Sequence, residues 1–319
     1  MHFSRRTVPI SDHFDGQRFR NPDAPQVQGF ADLLRWQLNG RREKSPRFID
    51  DVTESKPASN IEGDGLAVTL INHSTLLLQH NGANILTDPV WSQRVSPFQW
   101  IGPRRRRKPG VRLQDLPPID IVLLSHNHYD HLDLTTVRLL ARRAECKFVA
   151  PLGLANFLRS EGVRVVHEMD WWESVPLGET LIHSVPALHF SARGLFDRNR
   201  TLWCGYGLET KAGMIYFAGD TAFGKHFSEI RQRRGPPRLA LLPIGSYQPE
   251  WFMSSVHMSP DDAIRAHGIL DARHSIAIHH GTFQLGDDGI DRPRMRIQEL
   301  SPQGDFRVLN NGEAAHLRG

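Results

Sequence analysis

The run Ser125-His126-Asn127-His128-Tyr129-Asp130-His131 follows directly on Ile121-Val122-Leu123-Leu124. The aliphatic stretch reads as a buried strand. The run after it sets four potential metal ligands within six residues, just past the strand's end. Side chains alternate along an extended segment, so His126 and His128 can point to one side. Asp130 and His131, on the turn into the next helix, can then serve a second ion. Zinc accepts imidazole nitrogen and carboxylate oxygen at roughly 2.0–2.2 Å. Two ions about 3.5–4 Å apart can share and activate one water.

One segment cannot supply a two-metal site, so further ligands are expected at later strand ends. Histidine is abundant, 17 in 319 residues, and is the commonest metal ligand and proton carrier. Val185-Pro186-Ala187-Leu188-His189 closes one predicted strand. Ile215 to Asp220 closes another, with Gly219 permitting close backbone approach. Ile276-Ala277-Ile278-His279-His280 closes a third.

Composition narrows the class. Hydrophobic residues make up 39% and charged residues 23%, which excludes a disordered chain. Cys146 and Cys204 sit beside apolar residues and read as small buried hydrophobes in a reducing compartment. No apolar run reaches the roughly 18 residues of a membrane span. The first residues lack the apolar stretch of a secretory leader. These features predict a soluble, cytoplasmic protein with optional membrane association.

Residues 1–60 read as an irregular extension packed on the body, and 61–319 as a single α/β domain. Within the extension, Phe30, Leu33, Leu34 and Leu38 fall near one helical face, which suits packing on the body or a short membrane-surface contact. Strands are predicted at 66–71, 75–79, 84–87, 119–124, 147–150, 164–167, 180–185, 213–218, 239–243 and 275–279. Asn81-Gly82 signals a hairpin between the second and third. Helices are predicted near 133–145, 152–160, 223–233 and 260–270, the last opened by Ser259-Pro260-Asp261-Asp262. The net charge of +4 traces mainly to Arg104-Arg105-Arg106-Arg107-Lys108. That run reads as a solvated loop. Phe98, Trp100 and Ile101 precede it, so a peripheral contact with phospholipid is favoured over nucleic acid.

The ordered series His-x-His-x-Asp-His, His, Asp, His resembles the metallo-β-lactamase superfamily, which implies a four-layer αββα sandwich. Segments outside the ligands are similar to the family of N-acylphosphatidylethanolamine-hydrolysing phospholipases D. They include Thr87-Asp88-Pro89-Val90, Asp170-Trp171-Trp172-Glu173, Phe217 to Thr221, Pro243 to Tyr247, Trp251-Phe252-Met253 and Ala277 to Phe283. The similarity spans roughly residues 65–285. It implies two Zn2+ ions, with iron or manganese as alternatives. His126, His128 and His189 would hold the first, Asp130, His131 and His279 the second, and Asp220 would bridge them. The family has one histidine after Ala-Ile, so His279 is the implied ligand and His280 stands where an aromatic is usual. His73 and Asp88 match positions that would orient ligands.

The implied reaction is phospholipase D-type hydrolysis of N-acylphosphatidylethanolamine by a metal-activated hydroxide. Asp130 would orient the nucleophile, and His257 would give a proton to the leaving oxygen or stabilise the oxyanion. A homodimer is also implied. The alternatives are hydrolysis of a lactone or small phosphodiester on the same fold, or a peripheral membrane-binding module with a vestigial site.

Overall fold

A computed structural model describes residues 8–22, 28–143, 146–301 and 304–317. Six strands lead the first sheet: β1 (Leu66–Asn72), β2 (Thr75–His80), β3 (Ala83–Thr87), β4 (Ile121–Leu123), β5 (Lys147–Pro151) and β6 (Val165–Met169). The second sheet takes β7 (Ser174–Leu177), β8 (Thr180–Val185), β9 (Gly205–Thr210), β10 (Gly213–Phe217), β11 (Leu239–Pro243), β12 (His274–Ile278) and β13 (Phe306–Arg307). The chain then returns to the first sheet as β14 (Ala314–Leu317), beside β1. The Asn81-Gly82 hairpin forms as expected, with His80 opposite Ala83.

Alternation along the strands builds the layers. Leu70, Leu76, Leu78, Ile85 and Leu123 face Ile182, Tyr206, Leu208, Phe217 and Leu241 between the sheets. Ile71, Leu77, Leu86 and Val122 point the other way. Helices α2 (Leu134–Ala141) and α3 (Ala155–Ser160) cover them with Val137, Leu140 and Leu158. Over the second sheet lie α4 (His226–Arg234), α6 (Pro260–Leu270) and α7 (Arg292–Leu300). Both faces of each sheet are covered, so the strands read as continuous apolar runs. The expected four-layer αββα sandwich is therefore the observed one.

The elements missed from sequence have weak local signals. β7 carries Pro176 at a sheet edge, β9 contains Gly205 and Gly207, and β13 and β14 are short. The four-residue α5 (Glu250–Met253) and the charged α7 lack a clear apolar period. Helix α1 (Phe30–Asn39) forms where expected but docks by a different face. Trp36 is buried, stacked on Phe252 at 5.1 Å and hydrogen-bonded to Asp287 at 2.9 Å. Leu34 and Leu38 are exposed, and the side chain of Phe30 lies outside the described residues. One wide aromatic with a polar handle outweighs the leucine stripe.

The basic run also needs correction. Arg105 and Arg107 are 2% and 4% exposed. Arg105 donates to Asn72 Oδ1 at 2.9 Å and Val90 O at 3.0 Å. Arg107 reaches Asp51, Asp291 and the Gly281 carbonyl. The segment is an internal strap, so neither guanidinium is free to meet a head group. Among the described residues, no helix is long and apolar enough to cross a membrane.

Candidate metal centre

β3, β4 and β5 run parallel, as do β10, β11 and β12. β8 is antiparallel to β9, which is antiparallel to β10, so β8 points the same way as β10. The carboxyl ends of β4, β8, β10 and β12 therefore open on one edge of the sandwich. The segments that leave them carry His126 to His131, His189, Asp220 and His279. Their backbones are free of ladder bonding there, so their side chains can turn inward.

Asp88 organises the first segment. It accepts Ser125 N at 2.7 Å, Ser125 Oγ at 2.6 Å and His131 Nδ1 at 2.6 Å. With Nδ1 so engaged, His131 presents Nε2 to Asp220 Oδ2 at 3.1 Å and Asp130 Oδ2 at 3.3 Å. The Ser125 hydroxyl donates to Asp88, so it accepts from His126 Nδ1 at 2.9 Å. His189 Nδ1 donates to Val256 O at 2.9 Å. Both imidazoles therefore turn a lone pair at Nε2 inward. Those lone pairs meet His128 Nδ1 at 2.8 and 3.2 Å. One nitrogen bears at most one hydrogen, so it cannot satisfy both.

His279 Nε2 lies 3.1 Å from Asp220 Oδ2 and 3.3 Å from Asp130 Oδ2. His280 turns away, toward Ala277 O at 3.3 Å. His73 Nε2 sits 3.1 Å from Asp130 Oδ2. His257 Nδ1 is 3.9 Å from Asp220 Oδ2, and its ring is 5.1 Å from that of His189. The structure thus brings together all seven residues expected as ligands, and adds His73 and His257 to the cluster.

The electrostatics suit cations. Burial penalises every charge here. Yet His131 and His279 hold the carboxyl of Asp220 well below the ordinary range, and His131 leads the same effect on Asp130. Burial is the leading influence that keeps His126 well below its ordinary value, His128 at about 4 and His189 at about 3. Two ionised carboxylates and three neutral imidazoles are the protonation states that ligate metal. Asp220 and Asp130 outweigh burial and push His279 up to about 9, and His131 is likewise raised. Buried Asp220 Oδ1 also lacks a hydrogen-bond partner. The residues fit two metal ions.

Sequence reasoning missed Arg193. Its guanidinium lies 4.0 Å over the Tyr129 ring and donates to Asn127 O at 2.8 Å and Leu132 O at 2.7 Å. It clamps the ligand loop from both ends. No local motif marks it, because its partners lie more than 60 residues away.

The chain is similar to several known proteins. A model described as "Beta-lactamase superfamily domain" matches residues 83–280. The N-acyl-phosphatidylethanolamine-hydrolyzing phospholipase D 1 of Caenorhabditis elegans is 39% identical over 311 residues, covering 90% of this chain and 87% of its own. The mitochondrial N-acyl-phosphatidylethanolamine-hydrolyzing phospholipase D of Saccharomyces cerevisiae is 34% identical over 270 residues, covering 82% of this chain and 58% of its own. Among solved structures, a possible metal-dependent hydrolase of Veillonella parvula superposes with a TM-score of 0.65 at 18% identity, covering 78% of this chain and 98% of that one.

Proposed function

The chain belongs to the β-lactamase superfamily, and we propose that within it this hydrolase is a two-metal phosphodiesterase. Its substrate class would be N-acylphosphatidylethanolamine-type phospholipids, cut between the phosphate and the N-acylethanolamine. One observation carries the reading. Two buried carboxylates and five imidazoles converge at one sheet edge, in a chain whose relatives bear that activity in their names.

His126, His128 and His189 would hold one ion, Asp130, His131 and His279 the second, with Asp220 between them. When bound, such ions lower the pKa of water toward neutrality and offset charge on a phosphoryl oxygen. The protein's own share is positioning. Asp88 fixes the His131 tautomer, and Val256 O fixes that of His189. Asp130 Oδ2, tied to His73, can accept a hydrogen bond from the attacking water. His257 keeps some solvent access beside Asp220, and burial lowers its pKa to about 3, so it would act as a neutral ring, turning an N–H to the charge that develops on the leaving oxygen. Lipid would approach over Tyr129, where a cavity of about 410 Å3 is lined by Arg94, Gln99 and Arg193. Exposed Phe98, Trp100, Ile101, Leu195 and Phe196 stand on the two loops beside it and would rest on a bilayer interface.

A substrate panel tests the assignment: N-acylphosphatidylethanolamine, other phospholipids, lactones and bis-p-nitrophenyl phosphate, with metal content measured in parallel. The expected result is release of phosphatidic acid by protein holding about two metal ions per chain. Activity confined to lactones or to the small phosphodiester overturns the lipid assignment and leaves the fold intact.

A further inference from the structure

A cavity of about 690 Å3 opens between α1 and the loops that follow β11 and β12. Its walls include Arg35, Trp36, Arg41, Tyr247, Trp251 and Arg292. The volume falls within the range of small-molecule sites. Three carboxylates line it too, but each is already engaged. Asp287 accepts from Trp36 Nε1 at 2.9 Å and Arg41 N at 3.2 Å. Asp288 is buried and accepts from Ser246 N at 3.1 Å and Gln248 N at 3.2 Å. Glu43 accepts from Gly289 N at 3.3 Å.

The cations are in the opposite condition. Among the described residues, the guanidinium groups of Arg35, Arg41 and Arg292 have no carboxylate partner, and the Tyr247 hydroxyl has no hydrogen-bond partner. Arg35 stacks on the Trp251 ring at 5.0 Å, which leaves its N–H edges free. Trp251 is itself 44% exposed. The cavity thus offers fork-shaped donors for a planar or tetrahedral anion, beside bare aromatic surface.

We propose that this cavity binds an organic anion. A phosphate or carboxylate head would be held by Arg35, Arg41, Arg292 and the Tyr247 hydroxyl. An apolar body would lie against Trp36 and Trp251. A metal ion is a poorer fit, because the carboxylates are committed to N–H donors.

Calorimetric titration of the full chain tests this, using monododecyl phosphate below its micelle concentration, inorganic phosphate and decanol. The expected result is saturable one-to-one binding of the alkyl phosphate. That binding weakens at least tenfold in the Arg35→Ala/Arg292→Ala variant and is unchanged in Asp220→Asn, which separates this cavity from the metal centre. Both arginines are exposed, so circular dichroism of the double variant should match the parent. Absence of binding, binding indifferent to the arginine pair, or loss of binding in Asp220→Asn overturns the proposal. So does equal affinity for inorganic phosphate or decanol.

Discussion

Replacing Arg107 with methionine separates an internal strap from a solvated basic loop. Its guanidinium makes a forked contact with Asp51 at 2.8 and 3.0 Å, meets Asp291 at 2.9 Å and donates to Gly281 O at 2.9 Å. Asp51 and Asp291 keep side-chain exposures of 46% and 36%. Water can resolvate them, so each pair is worth about 0.5–1 kcal/mol. The orphaned Gly281 carbonyl adds about 1–2 kcal/mol. Relief from burying a guanidinium offsets part of the sum, leaving a net loss of about 2 kcal/mol. For a chain of this size that lowers Tm by roughly 3 °C. Arg104→Met, at an exposed position of the same run, should move Tm by less than about 1 °C. Differential scanning calorimetry of both variants at pH 7 reads the contrast. Arg107 holds the Asp51 carboxyl below its ordinary 3.8. A depressed carboxylate stabilises the fold above its unfolded value and loses that contribution as pH falls through the folded one. The gap between parent and Arg107→Met should therefore narrow below about pH 4. Equal Tm values for Arg107→Met and Arg104→Met at pH 7 would refute the reasoning.

Other positions give independent tests. His257→Ala should cut turnover about 10²–10⁴-fold while metal content by mass spectrometry stays at the parent value; unchanged turnover removes His257 from the mechanism. A Cβ on Gly110 would come within 1.8 Å of Gly312 N, so Gly110→Ala should cost more than about 4 kcal/mol. Gly162→Ala, at φ +97 in open space, should cost only about 1–2 kcal/mol by denaturant titration. Burial opposes charge on His13, but Asp170 at 2.8 Å and Asp12 at 2.6 Å prevail and raise its pKa above 6.5. A raised histidine stabilises fully below its unfolded value and loses that contribution as pH rises through the folded one. The N-terminal segment should therefore become more protease-sensitive above about pH 7, and His13→Asn should abolish that trend.

Much of the site was legible because a strand's end is a local event. The apolar run Ile121 to Leu124 stops, and the ligands begin at the next residues. The same switch marks Asp220 after Phe217 and His279 after Ile278. Spacing does not separate His279 from His280; the family resemblance favours His279, and it is the His279 ring that turns toward Asp130 while His280 faces the Ala277 carbonyl. The five consecutive cations were misread for a related reason. Spacing gives no sign that Asp51, Asp291 and the Gly281 carbonyl wait for Arg107. Helix α1 formed as its sequence predicts, yet Trp36 took the docking role because Phe252 and Asp287 lie opposite it.

The sequence alone determined most of the elements, their order and the chemical type of the centre, since period, apolar run and donor identity are properties of neighbouring residues. Only the tertiary structure decided which lone pairs converge, which arginines are buried and that Arg193 clamps the ligand loop. Those outcomes depend on strand order and loop path, which join residues far apart along the chain.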